Sequence, residues 1–263
     1  MIEENKIVDI VIPHVEAFAQ WDELKYALRS IEKNFKGDFR IWIVGDKPKW
    51  LSKNARFIKI AYSGKSPRLD VIEKFKKVID HPDIGEEFFW SNDDIYFINK
   101  VTYFDMAIPK VMGNLLNKMN RITGKSVYTD DIISTFNKLN AEGKASLNYS
   151  THLPYRFEKS KCAEMIEKYN LSEERLLPEN IYFNNYHADE LPYHLSLEPN
   201  NNLIFCIQRQ NPNWNAVEKA LVTKKFMNNS ESGMSERFKL LLQRLFPNPS
   251  SFEKDFKKDT EES

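Results

Sequence analysis

The residues best suited to chemistry are Asn92, Asp93 and Asp94, which interrupt an otherwise apolar and aromatic stretch, Glu87-Phe-Phe-Trp-Ser-Asn-Asp-Asp-Ile-Tyr-Phe-Ile98. Two adjacent carboxylates inside a buried strand would repel each other and lose hydration. At a strand end that opens into a crevice, a cation can hold them. Mg2+ or Mn2+ suits such a pair, because both take oxygen ligands and are commonly completed by water and substrate phosphate. An ion there would bridge a diphosphate and offset the charge that grows on a departing phosphate. The plainer alternative is a solvated Asn-Asp-Asp turn between two strands.

Other candidates lie where strands give way to loops. His14 follows Pro13 at the end of the first apolar run and could approach a base or a diphosphate. Ser63-Gly-Lys-Ser-Pro-Arg68 places Lys65 and Arg68 after another strand, without the spacing of a phosphate-binding P-loop. Asp70 follows closely. Arg29 sits among apolar helix positions, either as a phosphate fork or as a side chain snorkelling to the surface. His152 is a candidate proton acceptor or metal ligand, since imidazole titrates near neutrality. Asp130 and Asp131 form a second acid pair, which suits a helix N-terminus and also supplies a candidate base. Tyr182, Phe183, Tyr186 and Tyr193 can stack a sugar or simply pack.

The elements that must position these residues follow from the hydrophobic pattern. Residues 6–12 read as a buried strand ended by Pro13, and 21–34 as an amphipathic helix with Trp21, Leu24, Leu28 and Ile31 on one face. Strands follow at 39–44 and 55–61, a helix opens at Ser66-Pro67 and runs to about 78, and 87–90 is the next strand. Residues 95–98 continue apolar beyond the acid pair. This alternation predicts a mostly parallel sheet covered by helices, an α/β Rossmann-like arrangement whose ligands sit at the carboxyl ends of the strands. Helices are expected at 126–139, capped by Thr129 or Asp130, at 157–169 and at 235–245. Residues 180–205 read as loops and short strands, and a charged tail from 252 reads as frayed. The composition shift near residue 100 divides a nucleotide-binding part, 1–100, from an acceptor and catalytic part, 101–250, of one domain, followed by a tail, 251–263.

Thirty-eight basic and 38 acidic residues give zero formal charge in 263 residues, so bulk charge does not favour nucleic acid. The basic runs Lys74-Phe-Lys-Lys77 and Lys224-Lys225 keep a DNA acceptor open, although such runs are ordinarily solvated helix faces. Cys162 and Cys206 suit buried free thiols rather than a disulfide framework. The N-terminus does not read as a signal peptide, and no stretch has the roughly 20 apolar residues of a membrane span. A cytoplasmic protein is expected, with peripheral membrane contact compatible.

Several of these pieces, in this order, resemble the Stealth family of sugar-phosphate transferases and related small phage and bacterial glycosyltransferases of GT-A type. They are Asp9-Ile-Val-Ile12, Leu24-Lys-Tyr-Ala-Leu-Arg-Ser-Ile-Glu-Lys33, Phe39-Arg-Ile-Trp-Ile-Val-Gly45, Pro48-Lys-Trp-Leu51, the Asn92-Asp93-Asp94 box and Ser150-Thr-His-Leu-Pro-Tyr155. Leu203-Ile-Phe-Cys-Ile207 is similar to the last, short motif. The chain departs from the family pattern at Pro13-His14 and at Gln208-Arg209. The resemblance implies a GT-A-like nucleotide-sugar fold, with Asp93 and Asp94 at a Mn2+ or Mg2+ ion and the donor diphosphate, and His152 in the active site and in the metal set. Donor contacts are then expected from Pro13, His14, Arg29, Lys65, Arg68, Asp70, Asn92 and Asp93, and catalysis from His152, Asp94 and Asp131. The expected function is transfer of a sugar or sugar 1-phosphate from a nucleotide-sugar, UDP-linked for preference, to a glycan hydroxyl. A hydroxymethylated phage DNA acceptor and a non-catalytic binding module are the alternatives.

Overall fold

The computed structural model describes residues 7–62, 64, 66–195 and 201–254. The chain runs through β1 (Val8–His14), α1 (Glu23–Asn34), β2 (Phe35–Lys36), β3 (Phe39–Gly45), β4 (Arg56–Lys59), α2 (Pro67–Ile79), β5 (Glu87–Trp90) and β6 (Ile95–Phe97). Then come β7 (Val101–Thr102), α3 (Tyr103–Ala107), β8 (Lys110–Val111), α4 (Leu115–Met119), α5 (Val127–Ala141), β9 (Tyr155–Glu158), α6 (Lys159–Tyr169) and α7 (Pro178–Tyr186). The last elements are β10 (Tyr193–His194), β11 (Ile204–Ile207), α8 (Trp214–Thr223), β12 (Phe226–Asn229) and α9 (Glu236–Leu245).

The central sheet has the order β4-β3-β1-β5-β9, parallel except for β9, which pairs antiparallel with β5. Both faces of β1 are apolar because both are covered. Ile10 and Ile12 pack with Leu24, Leu28 and Ile31 of α1, while Val11 joins Phe75 of α2 and Phe157 of β9. A second sheet, β11-β12-β6, lies across α1, with Tyr26 and Ala27 meeting Tyr96, Met227 and Phe238 in a third cluster. The fold is therefore mixed α/β with a mostly parallel central sheet, compatible with a Rossmann-like layout.

Asp9 ties the base of the sheet together. Its carboxylate accepts from Arg40 Nε and Nη2 at 2.7 and 2.6 Å, from Trp42 Nε1 at 2.8 Å and from the Gly85 amide at 2.8 Å. At 1% exposure, this carboxylate has lost its water, and four donors replace that hydration.

Several expectations are corrected. Pro13 does not end β1, which continues to His14. The Val8 amide and the His14 carbonyl bond towards β3, and the Val11 carbonyl bonds the Ser91 amide on the β5 side. By alternation Pro13 faces the β5 side, one step past the last β5 pair, Val11 with Trp90, so its missing N–H breaks no ladder bond. The third strand is shorter than 55–61. Residues 155–158 form a strand before α6 rather than its first turn. Residues 178–186 form a helix, α7, whose Asn180 to Asn184 are all buried, so no apolar stripe marks it. Ser126, not Thr129 or Asp130, caps α5, accepting from the Thr129 amide at 3.1 Å. The tail is docked through residue 254: Glu253 pairs with Leu51 in a β-bridge and with Arg29. Cys206 is exposed, not buried.

Candidate functional site

The chain winds from β1 through β3 to β4 on one side, then returns through α2 to β5 on the other side of β1. The carboxyl ends of β1 and β5 thus flank the point where the strand order reverses, the standard crevice of an open parallel sheet. His14 ends β1, and Asp93 follows β5. His14 Nδ1 lies 2.9 Å from Asp93 Oδ2, spanning that point, and Nε2 lies 3.3 Å from Glu16 Oε2. Burial opposes a charge on His14, but Asp93 and then Glu16 outweigh it and raise its pKa. On the β3 side the backbone closes tightly. Gly45 has φ +130°, and a Cβ there would lie 2.0 Å from the His14 carbonyl oxygen, so only glycine lets β3 pass this close.

Asp94 Oδ1 is buried without a hydrogen-bond partner. Burial, followed by the charges of Asp93 and Glu23, pushes the Asp94 pKa up to about 7. Glu23 is raised as well, by its own burial, with Asn229 and the Gln20 amide working against the shift. Asn229 Nδ2 donates to Glu23 Oε1 at 3.0 Å, and Tyr96 donates to Asn229 Oδ1 at 3.1 Å. Three acids therefore share this end of the sheet with one imidazole, and the crowding shows in the raised pKa values of Asp94 and Glu23. Among the described residues, no group of three or more His, Cys, Asp and Glu side chains is arranged to hold a metal ion. His152 does not complete a ready-made set with Asp93 and Asp94. Asp93 and Asp94 could offer oxygen ligands to a hard divalent ion, with no third protein ligand grouped beside them among the described residues.

Two cavities of about 190 and 210 Å3 adjoin the acids and share Pro13 and Val71. The first is lined by His14, Glu23, Asp93, Asp70, Lys74 and Pro67 at the start of α2. Lys74 Nζ contacts Asp70 Oδ2 at 2.5 Å, with both side chains buried, while Asp70 Oδ1 is unpartnered. The second has an aromatic floor of Phe75, Trp90 and Tyr155, with Asn92, His152 and Glu179 around it. His152 adopts φ +50°, and its carbonyl accepts from Asn228 Nδ2 at 3.4 Å. Its ring is exposed to the cleft, yet desolvation by the surrounding protein and then the Lys118 charge lower its pKa. The neutral, proton-accepting form is thereby favoured. Glu179, raised by burial, accepts from the Ser150 hydroxyl at 2.5 Å.

No protein-family model matches the chain, and no curated protein matches its sequence.

The structure thus brings together Pro13, His14, Asp70, Asn92, Asp93 and His152 around the cleft, with Asp94 beside them. Other sequence candidates lie elsewhere. Arg29 donates through Nε and Nη2 to Glu253 at 2.7 and 2.6 Å and through Nη1 to the Phe246 carbonyl, so its fork holds the tail. Arg68 caps the Leu171 and Glu174 carbonyls. Asp131 is buried and held by Arg175 Nε at 2.9 Å, and Asp130 by the same guanidinium. Lys65 lies outside the described residues. Tyr182 and Phe183 are core side chains packed on Phe157 and Tyr149, not an open platform. Lys74 is not a solvated helix lysine, and Lys225 pairs with Asp105 at 2.8 Å.

Sequence reading took Lys74 for part of a basic run and missed Glu23, Glu179, Asn228 and Asn229. Only the last two carried a signal, an amide pair closing the otherwise apolar run Phe226-Met-Asn-Asn229. Such a pair in a buried strand needs partners, and they turn out to be Glu23, Tyr96 and His152.

Proposed function

We propose that the protein is a divalent-cation-dependent transferase that moves a sugar, or a sugar 1-phosphate, from a nucleotide-sugar to an acceptor hydroxyl, in the manner of the Stealth-like proteins its motifs resemble. The observation that carries this reading is Asp94: a carboxylate with an unpartnered oxygen, crowded by Asp93 and Glu23 at the reversal point of a parallel sheet. Such a carboxylate is held at a cost, and a cation carrying a diphosphate would relieve it.

In this reading Asp93 and Asp94 hold Mn2+ or Mg2+ against the donor diphosphate. The ion, when bound, supplies charge neutralisation on the leaving phosphate. The N-terminus of α2, which Ser66 caps and Pro67 opens, and His14, whose charged form Asp93 and Glu16 favour, add positive potential on the same side. Across the cleft His152, held neutral, accepts the proton of the acceptor hydroxyl. If that oxygen attacks the anomeric carbon, the bond from carbon to diphosphate oxygen breaks and a nucleoside diphosphate leaves. If it attacks the sugar-side phosphorus, a nucleoside monophosphate leaves and a sugar 1-phosphate is transferred. Product analysis separates these outcomes.

The test is turnover of nucleotide-sugars with Mn2+ by the Asp94→Ala protein. A loss of at least about 100-fold is expected, of the size that removing one electrostatic stabiliser produces. Turnover at the wild-type rate contradicts the reading.

A further inference from the structure

A third cavity, of about 980 Å3, opens beyond His152 and is several times larger than either donor-side cavity. It adjoins the second one, with Tyr128 and Ser150 lining both. Three cations border it: Lys118 on α4, Arg121 in the turn that follows, and Lys125 just before Ser126, the cap of α5. No carboxylate lines it among the described residues. Nor does any of the three cations form an ion pair among the described residues. In a chain of zero net charge, this is a local field of one sign beside an acidic cleft, and its reach is felt at His152, where Lys118 disfavours the imidazolium.

Amides and hydroxyls line it as well, at Asn114, Asn117, Asn148, Thr129 and Ser150, beside the apolar Ile122, Ile132 and Leu147. The Asn148 amide bonds the Gly113 carbonyl at 2.9 Å, and the Met112 amide bonds the Asn148 carbonyl at 2.8 Å, so the floor is fixed by backbone on both sides. Groups of this kind hydrogen-bond the hydroxyls of a sugar, and the cations meet an anionic substituent. The ring side chains among the lining residues are Tyr128 and the imidazole of His194, not the succession of aromatic platforms that grips single-stranded nucleic acid. The volume matches the upper end of the roughly 300–1,000 Å3 of small-molecule sites, enough for more than one sugar ring.

We propose that this groove is the acceptor subsite and takes an anionic carbohydrate, a sugar chain bearing carboxylate or phosphate groups, with Lys118, Arg121 and Lys125 as its anion-recognising side chains. The proposal rests on the transferase reading for the word acceptor, but its test does not. Fluorescent oligogalacturonate, a phosphorylated mannose oligosaccharide, neutral maltooligosaccharide and a single-stranded oligonucleotide are titrated into the full chain without nucleotide or metal. At least one of the two anionic sugars is expected to bind at least about tenfold more tightly than the neutral one, and the salt dependence to identify charge as the cause. Which arm binds separates carboxylate from phosphate. The triple variant Lys118→Gln/Arg121→Gln/Lys125→Gln is expected to lose at least about tenfold for the anionic sugar while keeping the wild-type affinity for UDP with Mn2+ and the wild-type melting temperature. Equal binding of neutral and anionic sugars, or an unchanged affinity in the triple variant, overturns the proposal. So does tighter binding of the oligonucleotide that the triple variant loses. Failure of UDP with Mn2+ to bind either protein, with anionic-sugar binding intact, overturns the donor reading and leaves this one standing.

Discussion

The Asp94 carboxyl, raised to about 7 first by its burial and then by Asp93 and Glu23, couples stability to pH in a defined direction. Its folded pKa lies above the 3.8 of an unperturbed aspartate. Between those two values the folded protein holds a proton that the unfolded chain has released, so stability falls as pH rises through the window and is level above it. Asp94→Asn keeps the shape and removes the charge. At pH 8 without metal it is expected to be more stable than the wild type, by on the order of 2 kcal/mol, with the difference shrinking towards pH 4. Thermal melts across that range check this, and a variant less stable at pH 8 contradicts it. Adding Mn2+ with UDP is expected to raise the wild-type melting temperature and leave the variant unmoved, since only a ligand that binds the folded form stabilises it. The residue would then trade stability for a ligand.

Arg29 illustrates what sequence can and cannot show about an element. Its helix, α1, was legible from spacing because one of its faces meets the sheet. Its guanidinium was not, because its partner, Glu253, is 224 residues away. Both side chains are nearly buried, at 12% and 9% exposure. Arg29→Met is expected to destabilise the protein by about 3 kcal/mol, as removal of one partner strands a buried carboxylate. The double change with Glu253→Gln is expected to cost less than the sum. UDP affinity with Mn2+ is expected to stay within about twofold of wild type, which distinguishes a tail anchor from a phosphate fork. Urea unfolding and nucleotide titration of the same samples decide the matter. Elsewhere legibility followed physics in the same way. The strands β1, β3 and β5 carry continuous apolar runs because both faces are covered. Helix α7 was invisible because it is buried all round, and the β12–β6 pairing was invisible because its register joins residues more than 100 apart.

Across the whole molecule, a formal charge of zero conceals two opposed regions, an acidic cleft at Asp93 and Glu23 and a basic groove at Lys118, Arg121 and Lys125. Composition averages them away, and only the fold sets them side by side. The acid box itself was readable, because carboxylates between two apolar strands have few structural uses. Its companions were not, since Glu23, Lys74 and Glu179 sit on helices where charged residues are ordinary. Among the described residues no helix is long and apolar enough to cross a membrane. The measurement that bears most directly on the central claim is calorimetric titration of Mn2+ into the protein with and without UDP, repeated on Asp93→Asn/Asp94→Asn. Mn2+ is expected to bind at least about tenfold more tightly when UDP is present, UDP to gain equally from Mn2+, and the double variant to lose both effects. The same Mn2+ affinity with and without UDP, or coupling that survives in the double variant, would contradict it.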